Sequence, residues 1–382
     1  MKIGIDARMY GPVHSGLGRY TEQLIEQFKT LDDANEYVVF LKREQYDAFT
    51  LPSKKWKKVL ADIHWYTVGE QVKFPFLIQK EDVDVMHFPH WNIPLLYRKK
   101  FVVTIHDLIM FHFPRSEATT LGPFMYALKD YAHRFVVRMA AKRATHIITT
   151  SEFTKHDIVE TLNADAKKIS VTYQAPFLDN RQQTTDNRSI LQKCNISSPY
   201  VLYVGNAYPH KNLERLIEAW NIFLDEHTTY QLVLAGKDSL FYERLKNIAA
   251  KKQSVSTEVA PDTFHNIVFT GYVSDEELNV LYTNAHLFVF PSLYEGFGLP
   301  PLEAMIHGVP VVSSSASCMP EVLGSAAIYF DPEDVQDIAR VLEAGVQNMD
   351  MRYDMKQQAA GELQRYSWEI LAKKTLQIYK KL

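Results

Sequence analysis

Two carboxylates, Glu295 and Glu303, bracket a run of glycines, prolines and apolar residues, Gly296-Phe297-Gly298-Leu299-Pro300-Pro301-Leu302. Upstream, His286-Leu287-Phe288-Val289-Phe290-Pro291 reads as a buried strand that stops at proline. Pro300 and Pro301 favour the start of a helix that Gly308 and Pro310 close. The pattern therefore predicts strand, loop and short helix. Glycines let backbone amides approach a ligand, a helix N-terminus attracts negative charge, and a carboxylate accepts sugar hydroxyls. Glu295, Gly296, Phe297, Gly298, Leu299 and Glu303 together suit a sugar nucleotide. The plainer reading is that Glu303 complements its own helix dipole and Glu295 is a solvated loop charge.

Further candidates lie at other predicted strand ends. Gly16, Leu17 and Gly18 follow a strand over residues 2–6 and precede a helix expected to begin near residue 20, so their amides could cradle a diphosphate; the alternative is glycines that allow a tight turn. This is no dinucleotide fingerprint, because the loop is ten residues long and lacks the acidic residue beyond a following strand. Lys211, in Pro209-His210-Lys211-Asn212, follows a strand over 200–204, and a phosphate is the natural partner of its ammonium. His106 ends a strand over 101–105, as a functional imidazole or as a satisfied structural one. Val273, in Gly271-Tyr272-Val273-Ser274, sits in a loop whose backbone groups could hold a nucleobase, and Glu321 is a first-turn acid that stabilises its helix without any ligand. His87, His90 and His112 form no recognisable metal triad, and no metal is expected.

These motifs, in this order, resemble the retaining family 4 glycosyltransferases over nearly the whole chain, residues 2–379. The similarity rests on Glu295 to Glu303, Ser15-Gly16-Leu17-Gly18-Arg19-Tyr20, Thr104-Ile105-His106-Asp107-Leu108, Tyr203-Val204-Gly205 with Pro209-His210-Lys211-Asn212, and Met319-Pro320-Glu321-Val322. The resemblance implies the GT-B architecture, two Rossmann-like α/β domains facing across a cleft whose closure excludes water. It implies a nucleotide diphosphate sugar as donor, with no cofactor. His106, Lys211 and Glu295 would take part in catalysis, and Gly16 to Gly18, Lys211, Val273, Glu295 to Leu299 and Glu303 would bind the donor. Glu303 would grip the ribose diol and His106 a sugar hydroxyl. The family's usual arginine ahead of the lysine is missing here; Asn206 follows Gly205, so either His210 assists or Lys211 works alone. Ile3-Gly4-Ile5-Asp6-Ala7-Arg8 adds a likeness to bacterial enzymes of surface polysaccharide synthesis, often mannosyltransferases, which makes GDP-mannose the favoured donor. A UDP-sugar-dependent glucosyl- or N-acetylglucosaminyltransferase, or a sugar-nucleotide epimerase of the same architecture, is the alternative.

The elements that must position these residues alternate along the chain. Strands are predicted at 2–6, 37–41, 85–88, 101–105, 145–149 and 168–174, then at 200–204, 231–235, 266–270, 287–290 and 309–313, with amphipathic helices such as 20–31 and 125–143 between them. That alternation marks parallel sheets covered by helices. At 382 residues and 46% hydrophobic composition the chain supports two cores. The polar stretch 179–186 places a boundary, giving an acceptor-side domain over 1–178, a donor domain over 179–365, and a last helix, 366–382, that by resemblance crosses back to the first.

A formal charge of −3 argues against a nucleic-acid partner. Two distant cysteines argue for free thiols in a reducing compartment, and the absence of a leader or an apolar span for a cytoplasmic protein. The expected partners are the donor and a saccharide or lipid-linked saccharide acceptor. Helix 125–143 carries Lys129, Arg134, Arg138, Lys142 and Arg143 among apolar residues, a pattern read either as peripheral contact with an anionic membrane or as ordinary packing. A glycoside hydrolase would need carboxylates on both sides of one bond, whereas Glu295 and Glu303 share one loop and helix.

Overall fold

The computed structural model describes residues 1–114, 122–177, 187–197, 199–253 and 266–382. The chain divides into two compact units, Met1–Gln174 with Ser367–Leu382, and Ala175–Tyr366. The polar stretch 179–186 lies outside the described residues.

The first unit is built on a seven-stranded parallel sheet: β1 (Lys2–Asp6), β2 (Glu36–Leu41), β3 (Trp56–Leu60), β4 (Val85–Phe88), β5 (Phe101–Ile105), β6 (His146–Thr149) and β7 (Ile169–Val171). Its spatial order is β3-β2-β1-β4-β5-β6-β7. Ile3 lies beside Tyr37 on one side and Val85 on the other. The order therefore reverses between β1 and β4, which is where an open parallel sheet leaves a crevice at its carboxyl edge. Strands β4 and β5 are fully buried and mostly apolar, as parallel strands covered by helices on both faces are.

The first helix runs Ser15–Leu31, starting earlier than the 20–31 expected from periodicity. A one-turn 3-10 helix, Pro12–His14, leads directly into it and shortens the loop after β1. Gly16, Leu17 and Gly18 thus occupy the first helical turn; a glycine costs only about 1 kcal/mol there, and the apolar face from Tyr20 onward supplies the compensating burial. The last helix, Trp368–Lys380, belongs to this same unit. Leu371, Ala372, Leu376 and Tyr379 enter one core with Leu24, Phe28 and Tyr37. The Tyr379 hydroxyl reaches His87 Nδ1 at 2.5 Å, so a polar bond as well as apolar burial ties the helix down.

The second unit repeats the plan with six parallel strands: β8 (Tyr200–Val204), β9 (Gln231–Ala235), β10 (Ile267–Gly271), β11 (Leu287–Phe290), β12 (Val311–Ser314) and β13 (Ala327–Phe330), in the order β10-β9-β8-β11-β12-β13. Here the reversal falls between β8 and β11, where Phe288 pairs with Leu202. β3, β13 and the helix Val68–Lys80 were not expected from sequence.

Candidate functional site

The second unit's reversal point carries the tightest cluster. The chain leaves β8 through a 3-10 turn, Pro209–Lys211, and leaves β11 at Pro291; the Leu293 amide donates to the His210 carbonyl at 2.7 Å and joins the two loops. Asn212 sits in the left-handed region with φ 60°. Its side-chain amide donates to the carbonyls of Pro291 (3.2 Å) and Pro332 (2.7 Å), holding the turn from beneath. The Lys211 ammonium forms an ion pair with the Glu295 carboxylate and lies 5.3 Å from the centroid of the Phe290 ring. The two side chains are only 12% and 9% exposed, so this pair is shielded from most of the screening that weakens surface pairs.

Glu295 is held by its backbone as well. Its amide donates to Ser317 Oγ at 3.1 Å, and its carbonyl accepts from Cys318 Sγ at 3.2 Å. Burial pushes the Cys318 thiol well above its ordinary value, with Glu295 and Glu321 adding to the shift, so it is an inert donor here. After Gly296 and the buried Phe297, Gly298 takes φ 89° and heads the helix Leu299–Ile306. A Cβ at Gly298 would stand 2.4 Å from Met319 Cε, so both backbone and space demand glycine. Pro300 and Pro301 have no N–H. The N–H groups at this helix start are therefore those of Phe297, Gly298 and Leu299.

Glu303 lies on the second turn of that helix. Tyr282 donates its hydroxyl to Glu303 Oε2 at 3.0 Å and stacks on His307 at 5.2 Å, while His307 Nδ1 donates to the Glu303 carbonyl at 2.8 Å. Burial, reinforced by Glu303, raises the Tyr282 phenol well above its ordinary value, which keeps it a donor. Val273 is half-buried in the loop after β10. Three glycines draw those strand ends together: the Gly205 amide donates to the Ala235 carbonyl at 3.0 Å and the Gly236 amide to the Gly271 carbonyl at 3.2 Å. A Cβ on Gly236 would fall 2.0 Å from the Gly205 carbonyl oxygen. One edge of one unit therefore gathers Lys211, Glu295 to Leu299, Glu303 and Val273, with Lys211 and Glu295 in direct contact.

The remaining predicted residues belong to the first unit. Gly16 is exposed, with open space where a side chain would go; the Gly18 carbonyl accepts from the Gly11 amide at 3.2 Å, and the Leu17 carbonyl accepts from Thr21 Oγ1 at 2.9 Å. His106 follows β5 with both ring nitrogens engaged. Nε2 donates to the Pro89 carbonyl (2.9 Å), which leaves Nδ1 to accept from the Gln174 side-chain amide (3.0 Å). Burial pushes its pKa down to about 4, so the ring is neutral at pH 7. A hydroxyl that uses Nδ1 must first displace Gln174.

The sequence reading assigned no role to Arg8, Glu70 or Asn92. The Arg8 guanidinium grips Asp6 at 2.8 and 2.7 Å and Glu70 at 2.6 Å, and Asn92 donates to Glu70 at 2.8 Å. Asp6, Arg8 and Asn92 of this network line a cavity of about 20 Å³, room for a single water, at the crevice between β1 and β4. Only Asp6 and Arg8 are neighbours in sequence; Glu70 comes from an unforeseen helix. Among the described residues one group could hold a metal ion, Glu226, His227 and Glu343, and it contains none of the predicted site residues. No described helix is long and apolar enough to cross a membrane.

Comparison with known proteins follows the two units. Residues 14–175 match the family described as Glycosyltransferase Family 4, and residues 187–362 match Glycosyl transferases group 1. The chain is 27% identical over 390 residues to O-antigen chain mannosyltransferase B of Escherichia coli, covering 96% of each. It is 27% identical over 335 residues, 85% of each, to O-antigen chain mannosyltransferase RfbU of Salmonella typhimurium. Among solved structures, Anabaena HepE in complex with UDP-glucose superposes with a TM-score of 0.72 over 100% of both chains at 17% identity, a likeness of fold.

Proposed function

The chain belongs to the glycosyltransferases of family 4 and group 1, with two Rossmann-like domains of the GT-B type, and from that premise we propose that it transfers mannose from GDP-mannose to a saccharide acceptor with retention of anomeric configuration. The observation that carries this reading is the Lys211–Glu295 pair beside the Gly298-headed helix at the reversal point of the second sheet. A diphosphate there meets an ammonium and the amides of Phe297, Gly298 and Leu299, all placed where negative charge grows as the sugar–phosphate bond breaks. Glu295, released from Lys211 by that phosphate, is free to accept hydroxyls of the donor hexose. Glu303, oriented by Tyr282, accepts the ribose diol, and the loop at Val273 borders the base.

In this mechanism the acceptor hydroxyl attacks on the face from which the diphosphate departs, and a departing phosphate oxygen takes its proton. The glycosidic bond to phosphate breaks as the new one forms, without an enzymic nucleophile and without a metal. For the first unit, family likeness assigns the Gly16 to Gly18 amides to the diphosphate and His106 to a sugar hydroxyl. The names of the two O-antigen relatives support mannose as the sugar and a surface polysaccharide as the destination. On the helix Pro123–Arg143, Phe124, Leu128, Tyr131 and Phe135 form an exposed stripe beside exposed Lys129 and Arg138, which supports a lipid-linked acceptor and peripheral contact at the inner face of a membrane.

The test is transfer from GDP-mannose, UDP-glucose and UDP-N-acetylglucosamine to mannosides, with and without a chelator, and the product's anomeric configuration read by NMR. An α-mannoside formed from GDP-mannose in the presence of chelator is expected. An inverted product, or donor conversion without any acceptor as an epimerase would give, refutes the reading.

A further inference from the structure

A second concavity lies in the first unit, outside the constellation described above. It measures about 370 Å³, within the range of small-molecule sites, and is walled by the loop over 10–13, the outer face of the helix Ser15–Leu31 and the helix Arg43–Ala48. Tyr10 meets Phe49 edge to face at 5.6 Å, and Lys29 covers Phe49 at 4.4 Å. The Tyr10 hydroxyl (2.8 Å) and Lys29 Nζ (2.7 Å) both bind Glu26 Oε1, so those three groups satisfy one another. Glu22 does not share in this. Half-buried in the wall, its carboxylate has no hydrogen-bond or ion-pair partner among the described residues, and burial together with Glu26 raises its pKa. Arg19 and Lys29 oppose that shift, and the half-exposed carboxylate is open to a hydroxyl donor that enters the concavity.

We propose that this concavity is a subsite for the non-reacting end of a saccharide acceptor, with Glu22 and Glu44 accepting sugar hydroxyls and Tyr10 supplying an apolar edge for the ring carbons. The inference rests on the transferase reading and adds a second contact for its acceptor. Anions are disfavoured by Glu22, Glu26 and Glu44, and a wholly apolar ligand would strip water from Glu22 without replacing it. The geometry also gives the subsite a consequence. At 1.5 Å rise per residue, the concavity runs along the helix from Glu22, about 6 Å from Gly18, to Lys29, about 16 Å from it, so it starts beside the turn assigned to the donor and leads away from it. A chain of several sugars spans it, whereas a single sugar held for transfer does not.

The experiment uses the full chain with GDP-mannose as donor and two acceptors, methyl α-mannoside and a linear α-manno-tetraose. Glu22→Ala is expected to raise KM for the tetraose about tenfold, the share of one charged hydrogen bond, and to leave kcat, donor KM and the methyl mannoside unchanged. Glu22→Gln, which keeps one acceptor oxygen, falls between. An equal effect on both acceptors, or on neither, overturns the subsite. Tetraose binding is read separately by ligand NMR. Binding that weakens in Glu22→Ala, with no transfer from any donor by the unmodified chain, sinks the transferase reading and leaves the subsite standing. Absence of tetraose binding overturns the subsite even where transfer to another acceptor is seen.

Discussion

Replacing Glu295 by glutamine should tighten the binding of a nucleoside diphosphate while abolishing most transfer, two effects of opposite sign from one atom. In the free protein the Lys211 ammonium is committed to Glu295, and both side chains are about nine-tenths buried. A diphosphate that uses Lys211 must open this pair, so its affinity is lowered by whatever the pair is worth. A hydrogen bond between charged groups contributes about 1.5–3 kcal/mol, and each 1.4 kcal/mol is tenfold in a dissociation constant. Glu295→Gln keeps the side chain's shape and its backbone links to Ser317 and Cys318, so GDP should bind about tenfold tighter or better. The intact sugar nucleotide should gain less, because the contact to the hexose is lost. Lys211→Met should weaken both ligands. Isothermal titration with GDP, UDP and GDP-mannose reads all of these. If Glu295→Gln is folded and binds GDP no better than the unmodified chain, the pair does not stand in the phosphate's way and the assignment of Lys211 is wrong.

Other expectations follow from single contacts. Gly298→Ala should destabilise the second unit by about 1–3 kcal/mol, seen as a lower thermal midpoint, and Met319→Ala should restore only part of the loss because φ 89° stays unfavourable for alanine. Tyr282→Phe should keep the stacking on His307 but lower stability by about 0.5–1.5 kcal/mol and raise donor KM, with a smaller increase for a 2′-deoxyribose donor if Glu303 holds the diol. Burial depresses His87 and His90 to about 3 and His106 to about 4, below the unfolded value near 6.5. The neutral forms therefore favour folding above pH 6.5, and this stability is lost as pH falls from 6.5 toward 4, at up to about 1.4 kcal/mol per unit per histidine. A thermal midpoint that stays flat between pH 7 and pH 5 contradicts that assignment. Deleting residues 367–382 should unfold the first unit, because it uncovers Leu24, Phe28 and Tyr37 and removes the partner of His87 Nδ1; a folded truncated chain by circular dichroism contradicts this packing.

Much of the fold was legible because its strands are buried on both faces. Leu287 to Phe290 is apolar without interruption and Phe101 to Ile105 is broken only by Thr104, and such short runs between helical stretches read as covered parallel strands. β3 escaped because Trp56-Lys-Lys-Val-Leu carries two lysines on an edge strand, where one side faces solvent. β13, the edge of the other sheet, is only Ala-Ile-Tyr-Phe, too short to show a period. The first helix began early because glycine lowers propensity without forbidding a helical turn, and propensity alone underrated Gly16 and Gly18. In the site, the strand–loop–helix around Glu295 was readable from local residue types. The partnerships were not: Lys211 meets Glu295 across 84 residues, Gln174 meets His106 across 68, and Arg8 meets Glu70 across 62, distances over which only the strand order decides who are neighbours.

Hydrogen–deuterium exchange on the unmodified chain, with and without GDP-mannose, tests the central claim most directly. Protection is expected at residues 205–212, 271–274 and 295–303, and Glu295→Gln should retain it at 205–212 with GDP alone. Protection that leaves residues 205–212 and 295–303 untouched, at a ligand concentration shown by titration to saturate, would contradict the account.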